Sequence, residues 1–226
     1  HIKKARPQVI EKLKEKGLLI KIDENYMHRL ATNSRGGGTI EPQIKEQWFV
    51  AVNHEFPMPH STIKGIKKGQ RITLKKLMLH AVRSNQIKIM PRQFEKIYMH
   101  WVTNLHDWCI SRQLWYGHRI PAWYKDGKTY CGIAPPKGKG WEQDPDTLDT
   151  WFSSGMWTFS TLGWPKAVPD LKTYHPTSVI SPGYEILQLW VSRMVLMSGY
   201  LLGEVPFRHV YFHGIVRDKD GRKFSK

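Results

Sequence analysis

Cysteine is almost missing from this sequence. Only Cys109 and Cys131 occur in 226 residues, too far apart for a Cys-x-x-Cys unit. That excludes a disulfide framework and fits a reducing cytoplasm. Long apolar runs are missing as well. The best candidate, residues 186–202, is broken by Gln188, Ser192 and Arg193, so no segment reads as a membrane span. No secretory signal pattern is present. Acidic residues are few, 19 Asp and Glu against 35 Lys and Arg, which leaves a formal charge of +16. Such an excess favours an anionic partner, nucleic acid first. A basic face kept for solubility is the plainer alternative, because the lysines are spread widely.

What is present reads as globular. Hydrophobic residues make up 40%, too many for a disordered chain. The length suits one large or two modest domains with a real core. The chain starts at His1 and stops inside a Lys/Ser run, so it is expected to be an internal segment of a longer protein.

Periodicity predicts an amphipathic helix over Ala5 to Gly17, with Pro7 in its first turn and Gly17 as its cap. A short strand is expected at Leu18 to Ile22, a turn at Asn33 to Gly38, and a strand-like stretch from Thr39 to Val52. Glu55 to Gln70, with two prolines and several lysines, reads as a long surface insertion. Helices follow at Leu74 to Ser84 and Arg92 to Asp107, around a strand at Ile87 to Met90. Arg119 to Tyr124 is a strand, and Lys125 to Gln143 a hairpin or loop. Asp146 or Asp149 caps the helix carrying Trp151. Val179-Ile180 and Arg208 to Phe212 are strands on either side of a buried helix from Tyr184 to Leu202. Asp218 to Gly221 is a hairpin turn. Strand, helix and strand alternate over the second half, which predicts an α/β fold with a parallel sheet.

In such sheets ligands bind beyond the carboxyl ends of the strands. Gly183 at a helix start would let an anionic or hydroxyl-rich ligand approach, and Glu185 would hold a ribose. Each has a plainer structural reading: a glycine that starts a helix, and a carboxylate that compensates its dipole. His213-Gly214 at a strand end and the basic turn Gly221-Arg-Lys-Phe-Ser-Lys226 are equally ambiguous alone. The turn's cations suit a phosphate that gains charge in a transition state, or simply solvent. The eleven histidines lack metal-ligand spacing, and the tryptophans fall within apolar patterns that suit a core.

Residues 107–124, Asp-Trp-Cys-Ile-Ser-Arg-Gln-Leu-Trp-Tyr-Gly-His-Arg-Ile-Pro-Ala-Trp-Tyr, resemble the class I aminoacyl-tRNA synthetases of the Val/Ile/Leu group. The run from Asp146 to Pro165, with Trp151-Phe-Ser-Ser154, is most similar to the valyl-tRNA synthetase family. The helix from Gly183 to Met194 and the terminal turn follow in the family's order. The turn stands where that family has its KMSKS loop, with Phe224 in place of Met. The likeness is strong from about Gln47 to Lys226 and weaker over residues 1–46.

The resemblance implies the C-terminal half of a Rossmann-like catalytic domain, preceded by the trailing end of an editing insertion. Residues 1–46 would be that remnant, 47–107 a connecting region with a surface insertion, and 108–226 the half-domain up to the lysine loop. It implies valine binding by Trp151, Ile186 and Trp190. ATP binding falls to Gly183, Glu185, His213, Gly214 and Val216, with Lys223 and Lys226 acting on the phosphates. Glu185 stands where the family has Asp. ATP with Mg²⁺, valine and tRNA(Val) are the implied partners of a monomeric cytoplasmic parent. Zinc is not expected, since the Cys pairs of some relatives are Asn33 and Gly36 here, with only Cys131 in the second region. The family's His-Ile-Gly-His signature and the core of its editing pocket are not in the sequence, so the segment alone is expected to be inactive. The alternatives are an isoleucyl or leucyl enzyme, or a non-catalytic tRNA-binding remnant.

Overall fold

The computed structural model describes residues 2–27, 29–33 and 36–224. The chain divides into two units, His1–Lys45 and Glu46–Lys226. In the first, the amphipathic pattern produces α1 (Ile2–Glu15), which starts earlier than the sequence suggests, so Pro7 lies inside it. Gly17, at φ +67°, takes the left-handed position that ends the helix. Leu18 N donates to Leu13 O at 2.9 Å and Gly17 N to Lys14 O at 3.0 Å, the paired bonds of a Schellman cap. The strand expected at Leu18 to Ile22 does not form. Its residues find no ladder partner, and Ile20 is 99% exposed. The turn at Asn33 does form: its Oδ1 accepts from Gly36 N at 2.6 Å, and Thr32 pairs with Thr39.

The second unit begins with β1 (Phe49–Val50) and β2 (Glu55–Pro57), then β3 (Arg71–Thr73), α2 (Leu74–Arg83), β4 (Lys88–Met90) and α3 (Arg92–Thr103). β5 (Trp108–Cys109), β6 (Ser111–Arg112), β7 (Ala122–Lys125), β8 (Lys128–Cys131), β9 (Glu142–Gln143) and β10 (Thr147–Leu148) are short. Three small helices follow, α4 (Thr150–Ser154), α5 (Trp157–Ser160) and α6 (Pro169–Tyr174), and then β11 (Thr177–Ile180), α7 (Ser192–Leu201) and β12 (Phe207–Tyr211).

The organising sheet has the order β11-β12-β4, all parallel, with Ile180 opposite Val210 and Val210 opposite Ile89. The predicted parallel α/β sheet is therefore present. α2 packs on both α3 and α7, and the apolar faces of the three helices join Ile89, Phe207 and Val210 in one core. Thr73 caps α2, its Oγ1 accepting from Lys76 N at 3.0 Å. From there Leu74, Leu77, Met78 and Ala81 fall at helical spacing and are buried. Tyr98 of α3 is fully buried, its hydroxyl donating to Met78 O at 3.3 Å, and burial raises its phenol pKa.

Two other expectations change. Glu55 to Gln70 is not a structureless insertion: β2 and β3 pair antiparallel, and Met58, Ile63 and Ile66 form a second small core with Ile72 and Leu77. The strand expected at Arg119 starts only at Ala122, where β7 pairs with β8 through the Asp126-Gly127 turn. Both turn residues have positive φ, the conformation a two-residue hairpin needs.

Candidate active site

The carboxyl ends of β11 and β12 meet at the predicted place. Gly183 forms a parallel bridge with His213, and His213 N donates to Pro182 O at 3.3 Å. A side chain at Gly183 would sit 2.7 Å from Ile215 Cδ1, so a larger residue here would have to turn the end of that side chain aside. The helix that follows does not start as a regular α-helix. Tyr184–Ile186 is a 3₁₀ turn and Leu187–Val191 is π-helical before α7 takes over. The expected α-helical N-terminus at Gly183 is thus replaced by a tighter turn and then a wider one. π segments of this kind recur at functional sites.

The terminal turn folds back over this corner. Arg217 and Lys223 form an antiparallel bridge around the predicted hairpin turn. Asp218 Oδ1 accepts from Arg222 N at 2.7 Å and from Asp220 N at 3.0 Å, and Gly221 takes φ +75°. Lys223 Nζ then lies 2.6 Å from Glu185 Oε1. Thirty-eight residues separate this pair in the chain. Arg217 Nη2 donates to the Tyr184 hydroxyl at 3.0 Å, and Tyr184 stacks on Phe94 of α3 with ring centroids 5.8 Å apart. Arg217, Tyr184 and Phe94 were not singled out in the sequence. Their roles arise from contacts between distant segments, which periodicity does not report.

His213, Gly214 and Val216 are exposed beside the pair. The His213 ring bonds through Nδ1 to Gly214 O at 2.7 Å, leaving Nε2 pointing away from that contact. Gly214 has no positive φ, and nothing lies within 4 Å of an added Cβ, so neither packing nor strain in the chain accounts for it. Lys226, and Ser225 before it, lie outside the described residues.

Trp151 sits on α4, and Ile186 and Trp190 on the irregular helix, which packs against α4. All three are half-buried. Trp190 Nε1 donates to Ser154 O at 3.0 Å, tying the two elements together. Asp149, and not Asp146, caps α4: its Oδ1 accepts from Trp151 N at 3.3 Å. Its Oδ2 accepts from Trp108 Nε1 at 2.9 Å and pairs with Arg112 at 3.0 Å. Arg193 lies over the Trp108 ring at 4.1 Å, and its Nη1 is buried without a hydrogen-bond partner. Burial lowers this guanidinium to about 10, opposed by the Asp149 charge. Sequence reasoning anticipated the cap but not the hub beneath it.

The sequence matches the family described as tRNA synthetases class I (I, L, M and V) over residues 3–134 and 131–226. The chain belongs to the class I tRNA synthetases. It is 45% identical to a valine--tRNA ligase of Clostridium acetobutylicum, with 98% of this chain and 24% of the relative aligned. It is 44% identical, over the same shares, to valine--tRNA ligases of Geobacillus kaustophilus and Streptomyces coelicolor. This synthetase chain thus spans about a quarter of the length of the relatives it matches. The apo methionyl-tRNA synthetase of Mycobacterium tuberculosis superposes with a TM-score of 0.51 at 16% identity, covering 82% of this chain and 30% of that one. That likeness concerns the fold, and it agrees with the predicted class I catalytic architecture. Among the described residues of the synthetase chain, no three His, Cys, Asp or Glu side chains group as metal ligands. No helix there is long and apolar enough to cross a membrane.

Proposed function

We propose that this chain is a segment of a valine-activating synthetase. It supplies one wall of the site where valine attacks the α-phosphate of ATP, pyrophosphate leaves, and the valyl group passes to tRNA(Val). The observation that carries the reading is Lys223 held at Glu185 beside Gly183 and His213, at the carboxyl ends of parallel strands, in a chain 45% identical to a valine--tRNA ligase. In this reading Glu185 takes the ribose hydroxyls, and Gly183, His213, Gly214 and Val216 border the nucleotide. Lys223 and Lys226 stabilise charge on the phosphates. Mg²⁺ arrives on ATP and screens the same charge.

Trp151, Ile186 and Trp190 give valine rigid apolar walls. Such walls separate side chains that differ by one methylene by only ~1–3 kcal/mol, which is why a parent enzyme of this kind needs editing. Residues 1–46 are the end of that editing domain, 47–107 the connection, and 108–226 the second half of the nucleotide fold. The parent is a cytoplasmic monomer and holds no zinc in this segment.

Valine-dependent ATP–pyrophosphate exchange by the full-length parent, compared with isoleucine and leucine, tests the assignment. Valine is expected to dominate; a preference for either larger amino acid would overturn it. Residues 1–226 alone are expected to show no exchange, since they span only 24% of the relatives' length.

A further inference from the structure

Two bonds tie the terminal turn to the start of the irregular helix, and they differ in kind. Lys223 Nζ on Glu185 Oε1, at 2.6 Å, joins two opposite charges. Arg217 Nη2 on the Tyr184 hydroxyl, at 3.0 Å, joins a charge to a neutral acceptor. In the proposed function Lys223 acts on phosphate, so it cannot also rest on Glu185. The first bond is then open during the reaction, and the turn needs another hold. Arg217 and Tyr184 are placed to supply it.

This second hold is anchored at both ends. Phe212, just after β12, is buried, and its backbone N–H donates to Met90 O at 2.8 Å. Phe94, in the first turn of α3, packs on Phe212 with ring centroids 5.0 Å apart, and Tyr184 stacks on Phe94. The Tyr184 ring thus stands on the core around the parallel sheet and presents its hydroxyl to the turn. At the other end, Arg217 Nη1 donates to Gly221 O at 2.8 Å while Nη2 holds Tyr184. One planar guanidinium therefore spans from the helix start to the hairpin turn, a two-pronged grip that a lysine cannot copy. The hairpin is closed by bonds of its own: Asp218 N donates to Arg222 O at 2.9 Å, and Gly221 N to Asp218 O at 3.0 Å. The Lys223 backbone pairs with that of Arg217, so what fixes Arg217 also fixes Lys223. Arg217 makes no ion pair among the described residues, and its fork is committed to these two neutral oxygens.

We propose that Arg217 and Tyr184 are positioning residues: they hold the hairpin in register so that Lys223 reaches the phosphates, and themselves touch neither valine nor ATP. The inference rests on the role given to Lys223 above. Loss of the hold should slow the chemical step, because a misplaced cation stabilises the transition state less. It should leave nucleotide affinity nearly unchanged, since in that reading Gly183, Glu185 and His213 supply it.

The test is valine-dependent ATP–pyrophosphate exchange by the full-length parent, with kcat and the KM for ATP measured separately. Y184F keeps the ring on Phe94 and removes only the acceptor. It is expected to lower kcat ~10-fold and to change KM less than ~2-fold. R217A should lose at least as much, and Y184F/R217A no more than R217A alone, because the two residues act through one bond. R217K keeps the charge without the fork and should stay low. In a K223A background, Y184F should cost less than a further ~2-fold. A loss in R217A with full activity in Y184F would make Arg217 a direct contact with ATP and overturn the proposal. So would losses that multiply in the double variant, a wild-type rate in R217K, or an effect carried by KM alone. If K223A itself leaves kcat unchanged, the reading of the lysine turn fails. If K223A lowers kcat and Y184F does not, that reading stands and only the role of Arg217 and Tyr184 falls.

Discussion

Asp149 is the residue whose loss should be felt most widely. It is buried, and its two oxygens serve three partners: Trp151 N, Trp108 Nε1 and Arg112. Replacing it with alanine removes an N-cap, at about 1 kcal/mol. It also leaves a buried indole N–H unpaired, at ~1–2 kcal/mol. The Arg112 side chain is 38% exposed, so the lost ion pair adds under ~1 kcal/mol after solvent screening. D149A should therefore cost about 3 kcal/mol. For a unit of this size that lowers Tm by roughly 6–12 °C at ~2–4 °C per kcal/mol. D149N keeps one acceptor oxygen and should lose about half as much. Urea denaturation of the chain, followed by tryptophan fluorescence, gives both numbers. If D149A costs under ~1 kcal/mol, or if R112A alone costs as much as D149A, the hub is not what holds α4, and the reasoning fails.

Other outcomes follow from the same geometry. Gly203 has φ +63°, and a Cβ there would strike His60 O, so G203A should be among the most destabilising single substitutions, by ~3 kcal/mol or more in the same denaturation assay. His175 is buried, and desolvation lowers its pKa below 6.5 against opposing contributions from Thr158 O and Glu204. The unfolded chain then takes up a proton before the folded chain does as pH falls. Stability is therefore lost as pH drops below the ordinary histidine value, by up to ~1.4 kcal/mol per pH unit. Subtracting the profile of H175N isolates this slope, and parallel profiles for the two proteins between pH of about 7 and 5 would refute it. K223A in the full-length parent should lower kcat for pyrophosphate exchange by roughly 10²–10³-fold, as loss of a transition-state donor does. An effect confined to KM would make Lys223 a ground-state contact instead.

Where the sequence was readable, one face of an element was buried by its neighbours. Leu74, Leu77, Met78 and Ala81 announce α2 because they share a stripe, and Val179-Ile180 announces β11 because both flanks carry turn residues. Leu18 to Ile22 has the composition of a strand but no partner to pair with, and pairing is a property of the whole chain. The Glu55 to Gln70 stretch looked like a loop because its apolar residues are sparse and aperiodic. They converge on Leu77, which lies on another element. The candidate site was legible only through resemblance. Gly183, Glu185, His213 and Lys223 each have an ordinary structural explanation, and their meeting depends on folding over 38 residues.

The contact between Lys223 and Glu185 carries a consequence for ligand selection. An ammonium resting on a carboxylate is already occupied, so an incoming anion has to win it by competition. A single phosphate offers little more than Glu185 does. In the proposed reading, a triphosphate with several charged oxygens within reach of the turn would displace the carboxylate and free it for the ribose hydroxyls in the same movement. The resting pair would then act as a threshold, passing over monophosphates that share the same adenosine and yielding to ATP.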